Sequence, residues 1–333
     1  MAVEYKLESV ALHVTNDCSH RCPMCYATCK EQIVREGDLQ TLKNIISRLQ
    51  AAGVRELNLV GGNPAEHSQI EEIIKYAYDL GLDVPVLSNT HDYKNSSLER
   101  IAPYVSSLEW TVHGPTAEMH NRFCGQEDYE NVLARLLTYD GMRNENQKLG
   151  IVMNLMAHNY NLFYETICRL LDRGLNIDYL LIQRIAPFYR GKEFQNKLTI
   201  EQVIEGFRNI ARINEELGVE SVIVDAFPFC KVPEELHKYL GRCEWGFTTA
   251  ACDMDGNLSR CAMSSKYTLG NVLETEPQYI WNHSEILDRF RSKSYLPEDC
   301  QSCEMLNLCG GGCAMSCGHE NLEVDVFTKK KTR

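Results

Sequence analysis

Over the first two-thirds of the chain, short β-branched and apolar runs alternate with longer stretches of helical period. Strands are predicted over 9–15 (SVALHVT), 54–60 (VRELNLV), 83–88 (DVPVLS), 108–112 (LEWTV), 151–156 (IVMNLM) and 179–185 (YLLIQRI). Helical patterns fall near 39–52, 68–80, 127–143 and 160–173, and in the last of these Ile167, Leu170 and Leu171 share one face. Six strands with helices between them predict an α/β fold with a parallel sheet of βα units, two units short of an eightfold barrel. Periodicity alone does not separate an open barrel from a doubly wound sheet. A helical stretch over 200–217 and a strand within VESVIVDAF follow, and then the alternation stops. Cysteines and turn residues take over, placing a boundary near 225–240.

Composition narrows the class. With 333 residues, 44% hydrophobic and 24% charged, the chain reads as an ordinary globular protein with room for one large α/β domain and a smaller one. A net charge of −12 argues against a nucleic-acid or anionic-membrane binder, and the closing KKKTR reads as a solvated terminus. Residues 1–20 lack a signal-peptide core and no apolar run reaches about 18 residues, so a cytoplasmic location without a membrane span is expected. Fifteen cysteines in a reducing compartment are then candidates for metal or cluster binding rather than disulfides, and nine of them lie between Cys230 and Cys317.

Three cysteines stand on the loop that closes the first strand. Cys18, Cys22 and Cys25 form C-x3-C-x2-C, followed at once by Tyr26. Three thiolates hold three irons of a [4Fe–4S] cluster and leave the fourth iron open to a ligand, whereas clusters with four protein ligands serve mainly in electron transfer. The second strand ends in Gly61-Gly62-Asn63-Pro64, at the same topological position. Glycines there let the backbone approach a ligand, and the proline fixes the turn.

The spacing and position of this cysteine loop resemble those of radical S-adenosylmethionine (SAM) enzymes. That resemblance implies a partial (β/α)6 TIM-like barrel whose open iron chelates the cofactor's amino and carboxylate groups. The glycine run looks like the family's GGEP motif, with Asn63 in place of the glutamate. By the same resemblance, Tyr26, Gly61, Gly62, Asn63, Pro64, Ser88, Asn89, Thr111 and Arg122 are expected cofactor contacts. Asp225, Glu66 and Tyr189 lie near predicted strand ends, but none is distinguished as a catalytic base.

Farther on, Cys243-x12-Gly256-x4-Cys261, Cys300-x2-Cys303-x5-Cys309-x3-Cys313 and Cys317 match the seven-cysteine pattern of the SPASM extension of radical SAM enzymes. Asp255-Gly256 reads as a tight hairpin turn. By analogy, Cys300, Cys303, Cys309 and Cys317 bind one auxiliary [4Fe–4S] cluster, and Cys243, Cys261 and Cys313 another. Cys252, a possible cross-strand neighbour of Cys261, or Cys230 can supply a fourth ligand to the latter; otherwise it keeps an open iron. The expected division is 1–225 barrel, 226–320 SPASM domain and 321–333 tail. Cys29, Cys124 and Cys168 read as free thiols.

The resemblance implies reductive SAM cleavage, hydrogen abstraction from the substrate and electron transfer to the auxiliary clusters. Its members act mostly on ribosomally made peptides, installing cross-links, thioethers, excisions or epimerisations. The implied partners are a peptide or protein substrate, a separate leader-binding protein, and an electron donor such as flavodoxin or ferredoxin. Only 17 residues precede Cys18, so no fused leader-gripping domain is expected. An anaerobic sulfatase maturase forming formylglycine is the competing enzyme. The spacing Cys243-x8-Cys252-x8-Cys261, with Ala262 following, departs from the usual maturase arrangement. A non-catalytic zinc scaffold is the competing binding protein, because C-x2-C pairs also build zinc sites.

Overall fold

The computed structural model describes residues 4–27, 33–88, 97–194, 196–264, 267–317 and 324–328. Strand β1 (Ser9–Thr15) leads through helix α1 (Leu39–Ala51) to β2 (Glu56–Gly61), and α2 (Ile70–Asp79) leads to β3 (Pro85–Ser88). Short α3 (Leu98–Ile101) precedes β4 (Ser107–Thr111). Helices α4 (Ala117–Cys124) and α5 (Tyr129–Met142) precede β5 (Lys148–Leu155), and α6 (Phe163–Asp172) precedes β6 (Tyr179–Arg184). Then come α7 (Arg190–Glu193), α8 (Ile200–Arg212) and β7 (Glu220–Ile223).

The six expected strands pair in sequence order, each parallel to the next. Two more join these six, the strand expected within VESVIVDAF and one whose pairing with β1 no pattern in the sequence announced. β7 lies parallel to β6, and β8 (Thr249–Cys252), from the cysteine-rich region, lies parallel to β1. Strands β9 (Asn257–Ser259) and β10 (Thr268–Asn271) extend that edge antiparallel. The run from Val10 to Val14 is almost wholly buried because β1 is flanked on both sides.

Local chemistry sets the helix ends. Asp38 caps α1 by accepting from the Thr41 N–H at 2.9 Å, and Thr199 and Gln202 form a reciprocal capping box on α8. One apolar core runs from Leu7 to Leu287, so the cysteine-rich region shares the core of the sheet. Helix α9 (Pro277–His283) reinforces this: the Asn282 side chain accepts from the Tyr5 N–H at 3.0 Å. Among the described residues no helix is long and apolar enough to cross a membrane.

Candidate active site

The loop from Asn16 to Ala27 leaves the C-terminal end of β1, where α/β folds gather their chemistry. Cys18 on it is buried, Cys22 and Cys25 are half-buried, and none of the three is in a disulfide. The Cys25 N–H donates to the Cys22 carbonyl at 3.2 Å. Burial drives the Cys22 thiol well above its usual range, the charges of Cys25, Cys18 and Cys124 push the same way, and Arg190 opposes them. Thiols that resist one another's ionisation in this way are poised to share a cationic centre.

The turn after β2 locks this loop. The Gly62 N–H donates to the Thr15 carbonyl and the Asn63 N–H to the Asp17 carbonyl, both at 2.7 Å. A Cβ on Gly61 would strike the Thr15 carbonyl and one on Gly62 the Asp17 carbonyl, so glycine is required at both positions. From the other side α4 closes down. Its C-terminal Gly125 takes φ 75° against Arg21, whose N–H donates to the Cys124 carbonyl at 3.0 Å.

Between the loop and α4 lies a buried polar cluster. His20 Nε2 is 2.5 Å from Asp128 Oδ2 and His120 Nε2 is 3.2 Å from Oδ1, while the Cys124 thiol donates to Oδ1 at 3.2 Å. Burial opposes ionisation of Asp128, yet hydrogen bonds from His120 and His20 hold its carboxyl well below the ordinary range. Burial pushes the Cys124 thiol up to about 12.

A cavity of about 380 Å³ opens at the C-terminal ends of β1, β2 and β8; Tyr26, Gly61, Gly62, Tyr189, Cys252 and Cys261 are among its lining residues. Tyr189 holds φ 47° and ψ −124°, a conformation that L side chains rarely adopt. Two residues on, the Gly191 N–H donates to the Cys25 carbonyl at 3.2 Å. Arg35 and Asp255 also line the cavity and pair through both guanidinium nitrogens, at 2.8 and 3.2 Å.

Two further groups of thiols follow. Cys243, Cys261 and Cys313 form an inner group. Burial raises all three, Cys313 to about 12, and each of Cys243 and Cys313 is raised further by charge on other members of the group. Arg260, 3% exposed, counters this at Cys243 and Cys261. Its guanidinium lies over the Phe290 ring at 4.3 Å, and its buried Nη2 has no hydrogen-bond partner among the described residues. The outer group lines a cavity of about 610 Å³ and consists of Cys300, Cys303, Cys309 and Cys230. Burial raises Cys300, and charge on Cys309, Cys230 and Cys303 adds to the shift.

Residues 12–141 match the radical SAM superfamily, and residues 243–304 match SPASM, an iron–sulfur cluster-binding domain. The chain is a radical SAM enzyme with a SPASM domain. Among curated proteins it is similar to the PqqA peptide cyclases of Ruegeria pomeroyi and Rhizobium meliloti. Each is 22% identical, over 89% of this chain and 80% of the relative. Among solved structures, Streptococcus suis SuiB bound to S-adenosylmethionine superposes with TM-score 0.79 at 15% identity, covering 97% of this chain and 76% of that one. Native anSMEcpe with bound AdoMet gives 0.69 at 14% identity, covering 95% and 93%.

The radical SAM domain binds a [4Fe–4S] cluster and SAM, and the SPASM domain binds auxiliary iron–sulfur clusters. The residues present fit these groups. No disulfide joins any of the fourteen described cysteines, and the buried Arg260 Nη2, without a hydrogen-bond partner among the described residues, suits an anionic cluster at the inner thiols. The radical SAM match sets aside the non-catalytic zinc scaffold.

Of the expected SAM contacts, Tyr26, Gly61 and Gly62 line the central cavity. Asn63 and Ser88 are buried and bond each other at 3.0 Å, and Pro64 opens a short 3-10 turn. Thr111 ends β4 opposite Val152. Arg122 is exposed on α4 with its guanidinium over Phe123 and does not line the cavity. Asn89 and Cys29 lie outside the described residues. Asp225 accepts from the Arg184 N–H at 2.6 Å, which occupies it structurally.

Two cysteine assignments differ from expectation. Cys252 pairs across the hairpin with Leu258 rather than Cys261, and its thiol is raised by burial and by Asp253, not by other thiols. The Cys317 thiol donates to the Val324 carbonyl at 3.0 Å and does not line the outer cavity. The His20–Asp128–His120 cluster went unread in the sequence. Its only local signal was a histidine inside CSHRCPMC, with the partner carboxylate 108 residues away.

Proposed function

We propose that this enzyme modifies a ribosomally made peptide. Cys18, Cys22 and Cys25 hold the SAM-binding cluster, with Tyr26 and the carbonyl-rich turn at Gly61–Gly62 lining the cofactor site. When bound, that cluster with SAM supplies the radical that abstracts a hydrogen from the peptide. The chain's own contribution is placement: the glycine turn and Gly191 pin the cysteine loop, and the cavity walls exclude water from the reacting atoms. Cys243, Cys261 and Cys313 hold an inner auxiliary cluster beside the cavity. Cys300, Cys303 and Cys309 contribute to an outer one, and together the two accept the substrate's electron. Residues 1–225 and 226–320 are the units that carry these two tasks, in a cytoplasmic setting with a flavodoxin or ferredoxin as donor and a separate leader-binding protein.

The observation that carries this reading is similarity to peptide cyclases across both domains, over 89% of the chain. The test is anaerobic turnover with dithionite, SAM and short peptides encoded beside the gene. We expect 5′-deoxyadenosine release, deuterium transfer into it from labelled peptide, and loss of both in Cys22→Ala. Deuterium transfer from a sulfatase-derived peptide instead would move the assignment to a maturase. Nucleoside release without transfer from any peptide would overturn it.

A further inference from the structure

The seven-cysteine pattern names Cys317 as the last thiolate of the outer group, but the folded chain offers a different one. Strand β7 runs out through Pro228 into a 3-10 turn, Phe229–Lys231, that presents Cys230 to the outer cavity. The turn is well anchored. The Lys231 N–H donates to the Pro228 carbonyl at 3.0 Å, and His237 Nε2 lies 3.1 Å from the Phe229 carbonyl and 2.9 Å from that of Val232. The Phe229 N–H points at Cys309 Sγ at 3.5 Å, so the turn is already docked onto one member of the outer group. Four cysteines, Cys230, Cys300, Cys303 and Cys309, therefore line one cavity; Cys317 is not among its lining residues, and its thiol donates to the carbonyl of Val324, which is.

We propose that Cys230, and not Cys317, is the fourth thiolate ligand of the outer auxiliary cluster. The inference rests on the reading that Cys300, Cys303 and Cys309 hold a cluster at all. On binding, each of the four thiols gives up its proton to solvent and forms one Fe–S bond, leaving no open iron. A cluster closed in this way serves electron transfer rather than substrate coordination. The ligand set then spans the junction of the two domains, from the end of the last parallel strand to the C-terminal cysteines. Cys317 becomes a thiol without an iron.

The test compares Cys230→Ala, Cys317→Ala and Cys300→Ala in the full-length enzyme, loaded anaerobically with iron-57 and sulfide. Iron and acid-labile sulfide are counted, and Mössbauer and EPR spectra recorded. Cys230→Ala should match Cys300→Ala, losing about four irons per chain or converting that cluster to a three-iron form. Cys317→Ala should keep the wild-type complement. Full iron in Cys230→Ala overturns the proposal. Full iron in Cys300→Ala as well would show instead that the cavity holds no cluster, which sinks the reading beneath it. Because a variant can fail to fold, the loaded wild-type enzyme is also treated with N-ethylmaleimide and mapped by mass spectrometry. Cys230, exposed in the bare chain, should be protected when iron is bound and labelled after chelation. Labelling of Cys230 in the fully loaded enzyme would equally overturn the assignment.

Discussion

Tyr189 is a non-glycine residue held at φ 47° on the wall of the central cavity, with a side chain 37% exposed. Such a backbone costs about 1–3 kcal/mol and persists only where its surroundings impose it. Two residues on, Gly191 ties the turn to the cysteine loop: its N–H donates to the Cys25 carbonyl, and a Cβ there would strike the Ala186 and Met24 carbonyls. Replacing Tyr189 by glycine should raise the stability of the cluster-free chain by about 1 kcal/mol, after the entropy of the new glycine is subtracted. The same change removes an aromatic wall and should lower peptide turnover on the order of tenfold through looser placement. Thermal unfolding and labelled-peptide turnover read the two effects, and a variant less stable than wild type would contradict the strain. The sequence marked Tyr189 only as a strand-end residue, because a strained dihedral leaves no pattern of residue types to read. Asn63 is the opposite case. Its departure from the glutamate of the family motif was legible, and the structure explains the tolerance: the side chain turns away to Ser88 while the turn's glycines face the cavity.

At the scale of elements, the β1 loop is gripped by the β2 turn, by the α7 turn and by the Asp128 cluster under α4. The Asp128 carboxyl is ionised and buried, so Asp128→Asn leaves two histidines and a thiol around a neutral group. We expect about 3 kcal/mol of destabilisation at neutral pH, in the range for breaking one side of a buried pair. Asp128 is depressed in the folded state, so its contribution is fully present above the unfolded carboxyl value, about 3.9, and is lost as pH falls toward the folded value. The stability gap between wild type and Asp128→Asn, measured by denaturant unfolding of the cluster-free chain, should therefore hold from pH 7 to about 5 and narrow below about 4. A gap that widens on acidification would refute the assignment. The βα alternation that places these elements was legible, since six strands announce themselves by short apolar runs between turns. Helix α4 was not, being eight residues long with only three of them buried. Nor was the pairing of β8 with β1, a contact between segments some 240 residues apart that leaves no local period; the hairpin turn at Asp255–Gly256 was legible because its chemistry is local.

For the whole molecule, the inner and outer groups of thiols adjoin, and the inner one reaches the central cavity. Cys261 belongs both to the wall of the central cavity and to the inner group, and Cys309 and Cys313 connect the outer group to the inner one through a single short turn. A cluster held by the inner group would be the one placed to take up an electron from the cavity. Two buried guanidiniums stand there, and they are not equivalent. Arg184 is neutralised by Asp325 at 2.5 Å, and Asp325 also accepts from the Cys313 N–H at 2.8 Å. Arg260 has no carboxylate partner among the described residues, so its charge is free to act on the inner thiolates. A nearby cation favours the more negative, reduced state of a cluster. Arg260→Gln should therefore lower the midpoint potential of the inner cluster, by about 60 mV if the charge is worth a tenfold change in a one-electron equilibrium. Potentiometric EPR titration of Cys22→Ala protein, which removes the SAM-binding cluster from the spectrum, leaves the auxiliary signals in which to follow that shift. Arg184→Gln, made as a comparison, leaves Asp325 bare beside Cys313 and should shift the same potential down further. An unchanged or raised potential in Arg260→Gln would mean that the charge of Arg260 does not act on the inner cluster.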